Sequence, residues 1–481
     1  MTVSLSHPRV YTMRNFPKLF LKPNFWFIVL IAAQIAAIIF LCLYLPVFLP
    51  ITVAFAAMWL LTAVTSVVLL LRCGNTEVKC AWFLIISVLP IAGALIFFIA
   101  TIRHKPQGVL KIQAEESGLA RAANGLCGTA LAGYDSAVYF PTGMKFWNRA
   151  LSEIENAKKS VYIEFFIISR GQLLNAVIGA LEKAKANGAE IKIMCDGVGS
   201  GLKISRRDIK RLRKNGMEVK VFHRLPPFPH SDINLRDHRK IISIDGRVAF
   251  TGGVNLADEY INIGSPYGFW KDTGLAVYGE AAKVFEGMFL AMWKGKHEMP
   301  APLKGEKNCL PYYDCPDCKA FCEDAYIWAI SSAKERVHIL TPYFCVSDKI
   351  ATALTFTALR GVDVTVIIPH IPDKKYAFEV SKAFAQRLKP SGVKFFEYTP
   401  GFMHAKTVIC DDKVFLGSYN FDFRSTHYNY ECGALFEGDV CETVERDFLD
   451  SLALSTEMQH GKLSRRKRLS CFILRLFSPL I

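Results

Sequence analysis

The sequence predicts a duplicated α/β body of two pseudo-symmetric halves, preceded by an apolar N-terminal region. Three observations lead there. The pattern His-x-Lys-x4-Asp occurs twice, as His238-x-Lys240-x4-Asp245 and His404-x-Lys406-x4-Asp411, and each copy runs into a short turn ending in Asn. The segments leading to the two copies share one order of strands and helices. Three long apolar runs, at 25–45, 51–71 and 81–102, come before both.

The first half opens on Ala157-Lys158-Lys159-Ser160 and continues as Val161-Tyr162-Ile163-Glu164, a strand by its β-branched and aromatic content. A helix over 172–187, a strand over 188–194, a basic helix and a strand over 216–222 follow. The second half repeats this from Ala333-Lys334-Glu335-Arg336, with a helix near 348–360, a strand over 361–367, another helix and a strand over 392–398. Such alternation implies parallel sheets covered on both faces. Residues 107–144 read as a connector containing Gly and Ala. The expected divisions are a membrane region over 1–105, a first half over 106–300 and a second over 301–481.

Each motif reads as a strand: in 240–244 and 406–410 alternation puts His and Lys, two positions apart, on one face. Two His and two Lys suit phosphodiester chemistry. One imidazole attacks phosphorus while the other protonates the leaving oxygen. Lys240, Lys406, Asn255 and Asn420, with turn amides, neutralise the phosphoryl oxygens as charge builds on them. A half holding one His and one Lys cannot do both jobs, so the halves are expected to pair about a pseudo-two-fold axis. This chemistry calls for no metal and no cofactor.

The chain has 481 residues, 51% of them hydrophobic, and a formal net charge of +15. Its mean hydropathy of +0.23 comes from the three apolar runs, each about long enough to cross a bilayer. A cleavable signal peptide does not fit three successive runs. The expected location is the cell membrane, multi-pass, with a cytoplasmic catalytic body. Arg9, Arg14, Lys18 and Lys22 before the first run and Arg103, Lys105, Lys111 and Arg121 after the third mark both flanks as cytoplasmic, although three full crossings would place them on opposite sides.

The basic helix holds Arg206, Arg207, Lys210, Arg211, Arg213 and Lys214; Arg465, Arg466, Lys467 and Arg468 lead into an apolar tail over 469–481. With membrane runs present, these point to anionic membrane lipid as partner. Nucleic acid is not expected, because no aromatic stacking series accompanies the charge. Cys309, Cys315, Cys318 and Cys322 cluster at a spacing that could hold zinc or an iron–sulfur group, or form disulfides; free thiols are the expectation.

The paired motifs resemble the phospholipase D superfamily, and their flanks narrow the resemblance. Glu164-Phe165-Phe166-Ile167-Ile168, Asp196-Gly197-Val198-Gly199-Ser200, the run from Asn234 to Lys240, Thr251-Gly252-Gly253-Val254-Asn255, Trp270-Lys271-Asp272-Thr273 and Thr341-Pro342-Tyr343-Phe344 look like bacterial cardiolipin synthases. The resemblance implies a phospholipase D-like sandwich that converts two phosphatidylglycerol molecules into cardiolipin and glycerol. It implies a phosphatidyl-histidine intermediate on His238, with His404 as the proton carrier. Lys240, Lys406, Asn255 and Asn420 would hold the phosphate, assisted by Ser418 and the Gly253 amide. Glu431 would orient His238, and Asp272 would orient His404. Asp245 and Asp411 complete the catalytic motifs, bracing their loops. A phospholipase D acting on other phospholipids by hydrolysis or transphosphatidylation would use the same residues. The second motif departs from the first: one residue fewer separates Asp411 from Gly417 than Asp245 from Gly252, which reverses later side chains unless the turn absorbs it.

Overall fold

The computed structural model describes residues 32–40, 43, 51–71, 76–101, 109–112, 130–223, 234–316 and 321–458. The chain divides into two compact units: Met1–Arg103 with Leu225–Ile233, and His104–Arg224 with Asn234–Ile481. The tail over 469–481 and its basic run lie outside the described residues.

In the N-terminal unit the third apolar run is not one helix. Pro90 has no amide to donate and disfavours helix at the residue before it, so the chain breaks into Thr76–Val88 and Pro90–Thr101. The two helices fold back on each other, bringing the rings of Trp82 and Phe97 edge to face at 5.5 Å. Gly93 permits the close approach, since a Cβ there would stand 2.7 Å from the Ile85 carbonyl oxygen. The Ala92 amide, at the start of the second helix, donates to the buried Gln34 Oε1 at 2.6 Å. Outward-facing side chains include Trp59, Leu60, Leu70, Phe83 and Val88. The helix Ile51–Leu71 has 21 residues, some side chains of its first turn falling outside the described set. Among the described residues no helix is long and apolar enough to cross a membrane.

The second unit carries the duplication. Seven strands form one sheet in the order Ser136–Phe140, Gly274–Tyr278, Val248–Gly252, Lys240–Ile244, Ser160–Phe165, Glu190–Asp196, Glu218–Phe222. The second sheet repeats that order with Asn308–Asp314, Asn429–Glu437, Lys413–Gly417, Thr407–Cys410, Arg336–Leu340, Asp363–Pro369 and Lys394–Tyr398. The sheets are mixed, not parallel: only the last three strands of each series run parallel. Each motif strand returns through a tight hairpin, which forces antiparallel pairing on that side. Residues 107–144 do more than connect, because Ala132–Gly133 and Ser136–Phe140 add a strand to each sheet.

Alternation along the motif strand divides its side chains between two cores. Ile242 and Ile244 join the core of the first half, with Phe146, Phe165 and Phe250. Ile241 points the other way and meets Ile409, Leu416 and Ala434 from the second sheet. That shared core clamps the halves together and lets both motif strands end at one place.

The hairpin turns absorb the missing residue. Ile241 pairs with Thr251 and Thr407 with Leu416, so both hairpins keep the same register beside their Lys. The difference is confined to the tips, Asp245-Gly246-Arg247 against Asp411-Asp412. Asp245 and Asp411 take left-handed φ values of 56° and 54°, which Asp tolerates better than most residues. Each carboxylate accepts three successive backbone amides: Lys158, Lys159 and Ser160 for Asp245, and Lys334, Glu335 and Arg336 for Asp411. Burial works to raise both acids, but those amides outweigh it and hold them below the ordinary carboxylate range. The repeated A-K-x-x signature is therefore the partner of the motif's own Asp.

Asp245 and Asp411 thus tie each motif hairpin to the start of the neighbouring strand. They sit at the far end of the strand, five positions beyond the motif Lys, or about 17 Å at strand rise. Replacing Asp245 by Ala should cost roughly 1–3 kcal/mol of stability through three orphaned amides. Denaturant unfolding and initial rates on the folded fraction check this; a loss of rate matching that of a motif His substitution would refute the bracing role.

Candidate active site

Two short parallel backbone pairings join the halves. Arg236–Asp237 runs beside Asn429–Tyr430, and Phe269–Lys271 runs beside Gly401–Met403. They end on equivalent hydrogen bonds: the His238 amide donates to the Tyr430 carbonyl at 3.0 Å, and the His404 amide donates to the Lys271 carbonyl at 2.7 Å. The next residue on each partner strand is an acid. His238 Nδ1 thereby stands 2.9 Å from Glu431, and His404 Nδ1 stands 2.6 Å from Asp272. Both acids are wholly buried. A carboxylate on Nδ1 fixes the tautomer and leaves Nε2 for chemistry.

The two imidazoles belong to one site, since Lys406 of the second half acts on His238 and Lys240 of the first acts on His404. Asn255 lies between them: its Oδ1 accepts the Ile167 amide at 3.1 Å, and its Nδ2 donates to the Tyr260 hydroxyl at 2.7 Å. Phe166, next to Ile167, stacks edge-on against His238 at 5.1 Å, and Tyr260 meets His404 at 5.2 Å. Lys406 donates to the His404 carbonyl and lies 3.2 Å from His404 Nε2. Lys240 donates to the His238 carbonyl. Asn420 is buried in the second turn, and among the described residues none satisfies its Oδ1.

Electrostatics join the halves as well. Burial, then Lys240 and Lys406, holds His238 well below the usual imidazole range. Burial and Lys406 bring His404 down to about 4, against the pull of Asp272, and Lys240 adds to the lowering. Burial brings Lys406 to about 7 and Lys240 to about 8, in spite of Asp272 and Glu431. Burial lifts Glu431 to about 7, opposed by Lys240 and by hydrogen bonds from Ser418 and Asn429. These shifts favour neutral imidazoles and leave two lysines whose charge is easily lost. An anion placed among them would restore it.

Two expected phosphate ligands are placed otherwise. The Gly253 amide donates to the Thr273 carbonyl at 3.0 Å and is not available to a phosphate. What matters there is the missing side chain, because a Cβ would stand 2.0 Å from Asp272 Oδ1 and 3.1 Å from Lys406 Cδ. Ser418 Oγ donates to Glu431 and accepts the Cys432 amide at 3.0 Å, which makes it a support of the carboxylate.

The sequence reading also missed several site residues. Trp270 and Phe402 complete an aromatic wall around His404, at 5.1 and 5.6 Å. Lys271, whose carbonyl receives the His404 amide, is anchored by its side chain to Asp447 and the Pro141 carbonyl, each at 2.7 Å. Arg239, between the motif His and Lys, points to the opposite face and forms a buried pair with Glu164 at 2.7 Å. Period-2 alternation could have signalled Arg239; nothing local signalled Asp447, which is 176 positions from its partner. Of the cysteine cluster, Cys309 and Cys322 carry buried free thiols, Cys315 is disulfide-bonded, and Cys318 lies outside the described residues. Among the described residues no cluster of His, Cys, Asp or Glu could hold a metal ion.

Paired halves with recurring His, Lys and Asn, in which each imidazole is completed by an acid of the other half, define a phospholipase D-like enzyme. A family profile described as "Cardiolipin synthase, PLD-like domain" matches residues 150–293 and 326–452. A cardiolipin synthase of Geobacillus kaustophilus is 34% identical over 360 residues, covering 70% of this chain and 71% of the relative. One from Halalkalibacterium halodurans is 28% identical over 480 residues, covering 89% of this chain and 94% of the relative. A crystal structure of phosphatidylserine synthase from Haemophilus influenzae superposes with a TM-score of 0.57 at 13% identity, covering 76% of this chain and 98% of that one, and supports the fold alone. The chain belongs to the cardiolipin synthase family, and it is a phosphatidyltransferase.

Gly253→Ala tests the packing behind Asp272. The added methyl must displace the carboxylate or the Lys406 stem, and loss of a precisely positioned group typically costs about 10²-fold in rate. Rates with unchanged circular dichroism are the check; a variant as active as the parent would show that Asp272 has room to spare.

Proposed function

We propose that the chain moves a phosphatidyl group from one phosphatidylglycerol to the terminal hydroxyl of a second, giving cardiolipin and glycerol. The observation that carries this is the crossed pairing of two buried imidazoles with carboxylates of the opposite half. In the first step His238 Nε2 attacks phosphorus, the bond from phosphorus to the glycerol oxygen breaks, and His404 gives that oxygen a proton. In the second step His404 takes the proton of the incoming hydroxyl, whose oxygen attacks phosphorus as the phosphorus–nitrogen bond breaks. His238 is ready as a neutral nucleophile because burial and two lysines depress it. His404 gains its proton once the bound phosphodiester anion offsets those lysines. Lys240, Lys406, Asn255 and Asn420 hold the phosphoryl oxygens, and the aromatic wall about His404 keeps water from competing as acceptor.

Phosphatidylglycerol labelled at phosphorus distinguishes transfer from hydrolysis. Label should appear in cardiolipin, and His238→Ala should abolish it, by roughly 10⁴-fold or more as for other covalent nucleophiles. Label accumulating in phosphatidic acid would overturn the transfer reading, and full activity of His238→Ala would overturn the mechanism.

The N-terminal unit reads as the membrane anchor. Its helices turn apolar side chains outward, with Trp59, Leu60 and Leu71 well over half exposed. A hairpin of Thr76–Val88 and Pro90–Thr101 that enters and leaves on one side does not change the side of the chain, so both cationic flanks share the cytoplasmic face when the apolar runs before it cross an even number of times. That removes the conflict three full crossings would raise. Single cysteines introduced near Arg9 and near Arg103 should react with an impermeant maleimide from the same side. Labelling from opposite sides would refute the hairpin.

A further inference from the structure

We propose that one loop from each half forms a rim that sinks into an anionic bilayer and brings the paired imidazoles to the headgroup layer. The inference rests on the lipid-substrate reading above and adds the surface by which the catalytic unit docks. The loops occupy equivalent places, after the parallel strands Glu190–Asp196 and Asp363–Pro369.

In the first half, Leu202 is 80% exposed, more than any other large apolar side chain described in this unit, and Val198 is exposed beside it. Lys203, Arg206 and Arg207 follow immediately, at the start of the basic helix Arg206–Lys214. In the second half, Ile371 and Tyr376 are exposed, together with Lys374 and Lys375, and Phe269 is exposed on the neighbouring strand. The neighbouring acids are engaged: Asp208 with Arg170, Glu259 with Lys203, and Asp373 with the Tyr343 hydroxyl. The rim therefore presents apolar tips beside cations: Lys203 and Lys374 are paired with Glu259 and Asp373, while Arg206, Arg207 and Lys375 have no acid in ion-pair reach among the described residues, a pattern that favours an anionic lipid surface.

Both loops lead to the chemistry. Ser200 Oγ donates to the Phe166 carbonyl at 2.9 Å, and the Phe166 ring lies against His238. On the other side Tyr343, bonded to Asp373 at 2.6 Å, approaches Phe402, which packs on His404. Each tip is thus tied, through one aromatic residue or two, to the imidazole of its own half. A lipid lying between the tips has its headgroup above the cavity.

The test uses the full chain reconstituted in vesicles of phosphatidylcholine with about 30% phosphatidylglycerol, an anionic content that attracts basic segments. Leu202→Trp and Tyr376→Trp should each add emission that brominated acyl chains quench; emission they leave unquenched overturns the rim, including the case in which the surface serves a protein partner. The double variant Leu202→Ser with Ile371→Ser should lose about fivefold or more of its activity on vesicle lipid while changing less than about twofold on monomeric short-chain phosphatidylglycerol, as expected when only interfacial burial is lost. Equal loss on both substrates, or loss on neither, overturns it. A parent that binds vesicles and makes no cardiolipin would defeat the proposed reaction, while the quenching would still decide the rim.

Discussion

The active site depends on two backbone hydrogen bonds, from the His238 amide to Tyr430 and from the His404 amide to Lys271. They lock two short parallel pairings, and parallel register then dictates that the residue after each acceptor is an acid facing the opposite half's imidazole. A slip of one residue would turn Glu431 and Asp272 to the other face. Each acid would then be a buried carboxylate without its partner, an arrangement that costs several kcal/mol. Neither half can complete its own imidazole, and this is the physical reason the duplicated unit has to close on itself.

Within that two-fold frame the halves are not copies. The first uses a small acid, Asp272, against a position without a side chain, Gly253. The second uses a longer acid, Glu431, against Ser418, whose hydroxyl binds the carboxylate. Acid length and opposing side chain change together, so each imidazole meets an oxygen at nearly the same place. The unequal hairpins follow the same logic. Register is held beside Lys240 and Lys406, where the chemistry requires it, and the one-residue difference falls at the far tips, which hold the starts of the neighbouring strands and, through Arg247 and Asp412, reach Glu153 and Cys441.

Much of this was legible in the chain. The motifs and their alternation placed His and Lys on one face, and the acids were named from family likeness before any geometry. What escaped was whatever depends on which atom of a residue is already occupied. Gly253 and Ser418 have the right composition for phosphate ligands, yet one amide is committed to Thr273 and one hydroxyl to Glu431. Asp245 and Asp411 belong to the pattern without sharing its place, because a strand carries its ends apart. The connector hid three strands, Val109–Ile112, Ala132–Gly133 and Ser136–Phe140, of which the second is too short to show periodicity. The apolar run at 81–102 concealed a hairpin, although Pro90 and Gly93 were there to mark it.

The electrostatics explain why the cavity suits a charged phosphodiester. Two lysines, two imidazoles and two acids are enclosed together, and burial presses every one of the four bases toward neutrality. In such surroundings an uncharged ligand leaves the lysines depressed and His404 without a proton. A phosphodiester brings the negative charge that raises all four bases, but only the imidazole facing the leaving oxygen can turn that proton to use. The other imidazole has its Nδ1 held by Glu431, which leaves Nε2 for the attack on phosphorus proposed for it. On the proposed reading, binding and activation of the nucleophile's partner are one event.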